Sequence, residues 1–207
     1  ANIKKEDDLY LNSSEGVWDS EFNPFFQSAT QDVIPADYDN DGWLDVFTPG
    51  LQMIGGPNGP KYTSLLYKNI SQDSVTSNNH WLKLDLEGAM IGIENDGWSE
   101  FSNRSAIGAR AIVHLPDKNI SREIIAGKGH GSMDPLQLHF GLGIWSTIDS
   151  ITVSWPSKDI ATNQPKRIVY QGPIQSDKRY TIFENIDIPF EITKGDGQSL
   201  PSLVKEI

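Results

Sequence analysis

The chain has no cysteine, which excludes disulfide staples, thiolate zinc sites and cysteine nucleophiles together. Basic residues are few: 17 Lys and Arg stand against 28 Asp and Glu, for a net charge of -11. The longest basic run, Lys4-Lys5, is followed at once by Glu6-Asp7-Asp8. Gripping a nucleic-acid backbone or an anionic bilayer takes clustered cations, so neither is expected as a partner. No apolar run approaches the ~20 residues of a membrane-spanning helix, so membrane insertion is not expected and the chain reads as soluble. Ala1 to Lys5 lack the apolar stretch of a signal peptide. Long amphipathic stripes are also missing, because Gly or Pro interrupts every helical window beyond about ten residues.

What is present is turn-rich and strand-like. The 207 residues include 18 Gly and 12 Pro, and 37% are hydrophobic, enough for a buried core. Leu82, Leu84 and Leu86 alternate with Trp81, Lys83 and Asp85, the period of a half-buried strand. Ala109, Ala111, Val113 and Leu115 repeat that period, as do Leu136, Leu138 and Phe140, and Ile151, Val153 and Trp155. Lys166 to Tyr170 and Tyr180 to Glu184 read as two further strands. Turns are expected at Pro116-Asp117-Lys118-Asn119, at Gly127 to Gly131 and at Pro156-Ser157-Lys158-Asp159. The expected fold is all-β. The expected division is a unit over 1–72 containing an acidic loop, a strand-rich domain over 79–185, and an extended tail over 186–207.

The acidic loop is Asp37-Tyr38-Asp39-Asn40-Asp41-Gly42-Trp43-Leu44-Asp45. Calcium is a hard cation that takes about six to eight oxygens at roughly 2.3–2.6 Å. Aspartates at the first, third and fifth positions can turn inward around such an ion, and Gly42 permits the positive φ that reverses the chain. The carbonyl of Trp43 supplies a backbone oxygen and Asp45 closes the ring. An EF-hand is excluded: its twelfth position is a bidentate Glu, but Thr48 stands there, followed by Pro49. The β-rich exit from Leu44 to Thr48 places the loop between two strands. The predicted metal ligands are therefore Asp37, Asp39, Asp41, Trp43 and Asp45, with Ca2+ as the cofactor. Glu94, Asp96 and Glu100 form a partial echo that reads better as a solvated acidic turn, since Gly92 stands at its first position.

With Leu9-Tyr10-Leu11-Asn12 before it and Leu66-Tyr67-Lys68-Asn69 after it, this loop resembles an FG-GAP/VCBS repeat, the blade unit of integrin-type β-propellers. The later block resembles the ASPIC/UnbV domain. It carries Asn79-His80-Trp81-Leu82-Lys83-Leu84, Ser102-Asn103-Arg104-Ser105-Ala106-Ile107-Gly108-Ala109-Arg110, His139-Phe140-Gly141-Leu142-Gly143 and Val153-Ser154-Trp155-Pro156-Ser157. These resemblances imply a calcium loop within a propeller-blade-like unit, followed by a β-sandwich-like domain. A propeller needs several blades and this chain carries about one. The lone blade then belongs to a longer protein, or packs on the second domain or a neighbouring subunit.

Catalytic constellations are weak. His80, His114, His130 and His139 are the only histidines, and none has metal-ligand spacing. The glycine-rich Gly127-Lys128-Gly129-His130-Gly131-Ser132 lacks the Lys-Ser/Thr pair and helix of a phosphate loop. Ser132 and His130 enter a triad only on paper, and Arg104 and Arg110 read as loop-orienting residues. The expected function is a secreted, extracellular or cell-surface calcium-binding structural or adhesion module, not an enzyme. Its expected partners are other protein subunits or extracellular proteins, with self-assembly through strand edges as one route. Glycans stacking on Trp18, Trp43, Trp98 and Trp145 are the alternative.

Overall fold

A computed structural model describes residues 7–12, 18–25, 32–49, 64–70, 78–89, 101–128, 132–159, 162–184 and 190–192. Among the described residues there is no helix. The all-β expectation holds, and the strands form four sheets.

Two of these are small. Strands β1 (Asp7–Asn12) and β2 (Trp18–Phe25) form an antiparallel pair. Strands β3 (Ile34–Ala36), β4 (Asp45–Thr48) and β5 (Leu65–Tyr67) form an antiparallel meander. Ala36 pairs with Asp45, so the acidic loop is the connection of the β3–β4 hairpin, as its β-rich exit implies.

The larger body is a sandwich of two four-stranded sheets. One has the order β11 (Pro165–Gln175), β10 (Thr147–Lys158), β7 (Arg110–His114) and β8 (Asn119–Glu123). The other has the order β13 (Phe190–Ile192), β12 (Lys178–Phe183), β6 (His80–Glu87) and β9 (Leu138–Gly143). All neighbours are antiparallel except β12 and β6, which run parallel. The alternating apolar sets point into one shared core: Leu82, Leu84 and Leu86 from β6 and Phe140 and Leu142 from β9 meet Ala111, Val113, Ile151, Val153 and Trp155. Side chains of one strand face only alternate directions, which is why this period was readable.

Irregularities in β10 were not readable. A register shift between Ile148 and Ser150 lets Ile148 and Ile151, three positions apart, both reach the core. At this bulge the chain of β11 passes so close that a Cβ on Gly172 would collide with the carbonyl oxygens of Ile148 and Asp149. At its other end β10 corrects the sequence reading. The expected turn at Pro156 is strand through Lys158, and the turn follows at Asp159. Pro156 is accommodated because the register shifts again between Ser154 and Lys158, where no ladder hydrogen bond is demanded of it.

The motif residues that flank the core tie its end together around Glu184, which is fully buried. Its Oε2 accepts hydrogen bonds from the backbone N–H of Ala89 (3.0 Å) and of Ser102 (2.6 Å). Its Oε1 accepts from the Ser102 hydroxyl (3.0 Å) and the Ser157 hydroxyl. A buried carboxylate is costly unless its lone pairs are filled, and four donors fill them here. Nearby, Asn103 closes the turn to Ile107 with reciprocal side-chain bonds of 3.1 and 3.0 Å. The Ser102 to Gly108 segment is thus a structural brace.

Candidate metal centre

The acidic loop folds on its own carboxylates. Asp37 Oδ1 accepts the Asp41 N–H at 3.0 Å, and its Oδ2 accepts the Gly42 N–H at 2.8 Å. Asp39 Oδ1 takes the Asp41 N–H at 3.2 Å, and Asp41 Oδ1 takes the Trp43 N–H at 2.9 Å. Short aspartates favour such local bonds and tolerate the tight turns that accompany them. Asn40 and Gly42 both have positive φ, 60° and 98°, so the reversal spans two residues. Asp45, only 1% exposed, begins β4. It accepts the Tyr38 N–H at 3.2 Å and the Asn69 N–H at 2.7 Å, which ties β5's exit to the loop.

These constraints bring carboxylate oxygens of Asp37, Asp39 and Asp45 within 4.8 Å of one another. That donor set, all hard oxygen, suits calcium. Asp41 is not a member of this cluster; one of its oxygens is engaged in the turn with Trp43. Sequence spacing alone gave Asp41 the same standing as its neighbours.

Two lysines complement the loop. Lys68, at the end of β5, places its Nζ 2.6 Å from Asp39 Oδ2 and 3.8 Å from Asp41 Oδ2. Its pKa is raised, first by the hydrogen bond to Asp39. Lys83 is the second, and sequence reasoning missed it. Alternation assigns it to the outer face of β6, yet it is 1% exposed. Its Nζ contacts Asp37 Oδ2, lies 3.4 Å from Asn40 Oδ1, and sits 5.2 Å from the Trp81 ring centroid. No period or spacing marks such a residue; only the placement of the loop reveals it.

The loop docks on the outer face of β6 and β9. A Cβ on Gly42 would overlap the indole of Trp81, so glycine is needed for close approach as well as for φ. His139 on β9 puts Nε2 2.8 Å from the Gly42 carbonyl oxygen. As the carbonyl can only accept, this nitrogen carries the proton. Burial holds the His139 pKa below its usual value, against the opposing effect of that bond.

The other sequence candidates lie elsewhere. His114 bridges Asn119 and Thr152 at 2.9 Å each, and His80 meets Asp177 at 2.6 Å. Arg110 bonds Ser121 at 2.7 Å. The Ser132 hydroxyl donates to Asp32 and to the Lys128 carbonyl. His130, Trp98 and the Glu94 to Glu100 segment lie outside the described residues, as does the tail apart from β13. Trp18 is the first residue of β2. Trp145 packs partly against the core.

The sandwich and its braced end form an all-β domain. Residues 99–187, less than half of the chain, match the family model described as ASPIC and UnbV, so the chain contains an ASPIC/UnbV domain. Strand β6, a central strand of the second sheet, precedes the matched segment. No curated protein matches the chain.

Proposed function

We propose that this chain is a secreted calcium-binding structural module, serving adhesion or extracellular assembly and not catalysis. The observation that carries the reading is the convergence of the Asp37, Asp39 and Asp45 carboxylates within 4.8 Å. These three would hold the ion, with Asp41 and the Trp43 carbonyl as the further donors of the loop pattern. Bound calcium would supply charge neutralisation and a rigid hairpin. At formal charges, the loop's four aspartates and the two lysines that pair with three of them leave two negative charges, which one divalent cation balances.

The blade reading is supported by the β3-β4-β5 meander, which carries the loop in its first hairpin. Phe47 lies opposite both Ile34 and Leu66 in that sheet, and Phe47 and Leu66 are exposed, with Val33 and Ile70 nearby in sequence. Exposed apolar groups of this kind favour a protein partner. Calorimetric calcium titration and sedimentation with and without calcium test both halves of the proposal. Calcium binding with calcium-dependent association supports it; a monomer that binds no calcium refutes it.

A further inference from the structure

Resting on the calcium reading above, we propose that Lys83 sets the affinity of the acidic loop for a divalent cation. Filling the loop and docking it on β6 then oppose each other. Lys83 belongs to the sandwich, whereas Asp37 belongs to the loop, and their charged ends meet in a contact where each side chain is 2% exposed. An ion held by Asp37 would therefore have a buried ammonium as a close neighbour. Like charges repel more strongly where water is excluded, and added salt screens them little there.

Lys83 has nowhere easy to go. The Trp81 ring, Asn40 and Asp37 surround its ammonium, and Leu82 and Leu84 beside it in β6 are locked in the core. The tethered cation thus competes with a free one for the same carboxylate. Lys68 offers a contrast within the same loop: its side chain is 44% exposed, and water and salt screen it. By linkage, whatever docking contributes against the ion, the ion contributes equally against docking. Trp81 belongs to the same docking surface, since it contacts Gly42 and faces Lys83 without belonging to the loop.

The test is calorimetric calcium titration of the whole chain at about 0.1 M and about 0.5 M salt. Lys83→Gln, which keeps a donor for Asp37 but removes the charge, is expected to bind calcium at least ~10-fold more tightly at both salt concentrations. Lys83→Arg restores the charge and is expected to bind as the wild type does. Lys68→Gln is expected to tighten binding less, and only at the lower salt. Trp81→Ala, which removes part of the docking surface, is expected to tighten binding as well. Unchanged or weaker binding by Lys83→Gln, with the wild type binding calcium, overturns the inference and leaves the calcium reading standing. Absence of binding in the wild type and in both Lys83 variants at millimolar calcium overturns the reading and the inference with it.

Discussion

Lys83 of β6 and Asp37 of the acidic loop form an ion pair with each side chain 2% exposed, joining a three-stranded meander to the face of a β-sandwich. Removing one partner of a buried pair strands the other charge, at a cost of about 3–5 kcal/mol. In chelator, Lys83→Met is expected to lose stability of that order by denaturant unfolding. The double variant Lys83→Met with Asp37→Asn should recover most of the loss. Equal losses in the single and double variants would show that the pair itself is not what matters.

Gly42 carries two constraints at once, a φ of 98° and contact with Trp81. Gly127 has a similar φ of 95° but open space where a Cβ would go. Each alanine substitution incurs backbone strain of order 1–3 kcal/mol, and only Gly42→Ala also pushes the loop off the indole. Gly42→Ala is expected to be the more destabilising in thermal unfolding. Parity between the two would remove the docking contact from the account.

Much of the fold was legible because it rests on period two. Leu82-Leu84-Leu86 and Ile151-Val153-Trp155 declared their faces in the sequence, and the family match agrees with the resemblance of Ser102 to Arg110, His139 to Gly143 and Val153 to Ser157. Strand β8 was not legible, since Asn119–Glu123 holds a single apolar residue, Ile120. The loop's hairpin was legible from its β-rich exit over Leu44 to Thr48; packing on the second domain stood only as one alternative, without the residues that make it. Period two sends Trp81 and Lys83 to solvent, and only tertiary packing by a loop some 40 residues away reverses that assignment. Glu184 was hidden for a similar reason, because its partners Ser102 and Ser157 are remote in sequence.

Glu184 yields the next expectation. Hydrogen bonds to charged groups contribute about 1.5–3 kcal/mol, and unpaired buried donors are costly. Glu184→Ala leaves two N–H groups and two hydroxyls without their acceptor and is expected to destabilise by about 3–5 kcal/mol. Glu184→Gln should lose less, because it keeps one acceptor oxygen. Equilibrium unfolding in urea ranks the two, and a harmless Glu184→Ala would contradict the brace.

His139 gives a pH dependence whose sign follows from its lowered pKa. The folded state binds this proton less readily than the unfolded state, whose imidazole titrates near 6.5. Its contribution is therefore complete above that value and is lost as pH falls below it. In chelator, the wild type is expected to lose more stability than His139→Gln as pH drops from about 7 through 6 and below. Parallel pH profiles would remove His139 from the titration.

Whether the acidic loop holds calcium is decided by thermal unfolding of the wild type and Asp39→Ala, each with chelator and with calcium. A ligand that binds only the folded state stabilises it by about 2.7 kcal/mol at a hundredfold excess over Kd. The wild type is expected to retain calcium and to unfold several degrees higher when calcium is present, and Asp39→Ala is expected to lose both effects. Equal melting with and without calcium in both proteins, with no metal retained by either, would contradict the claim.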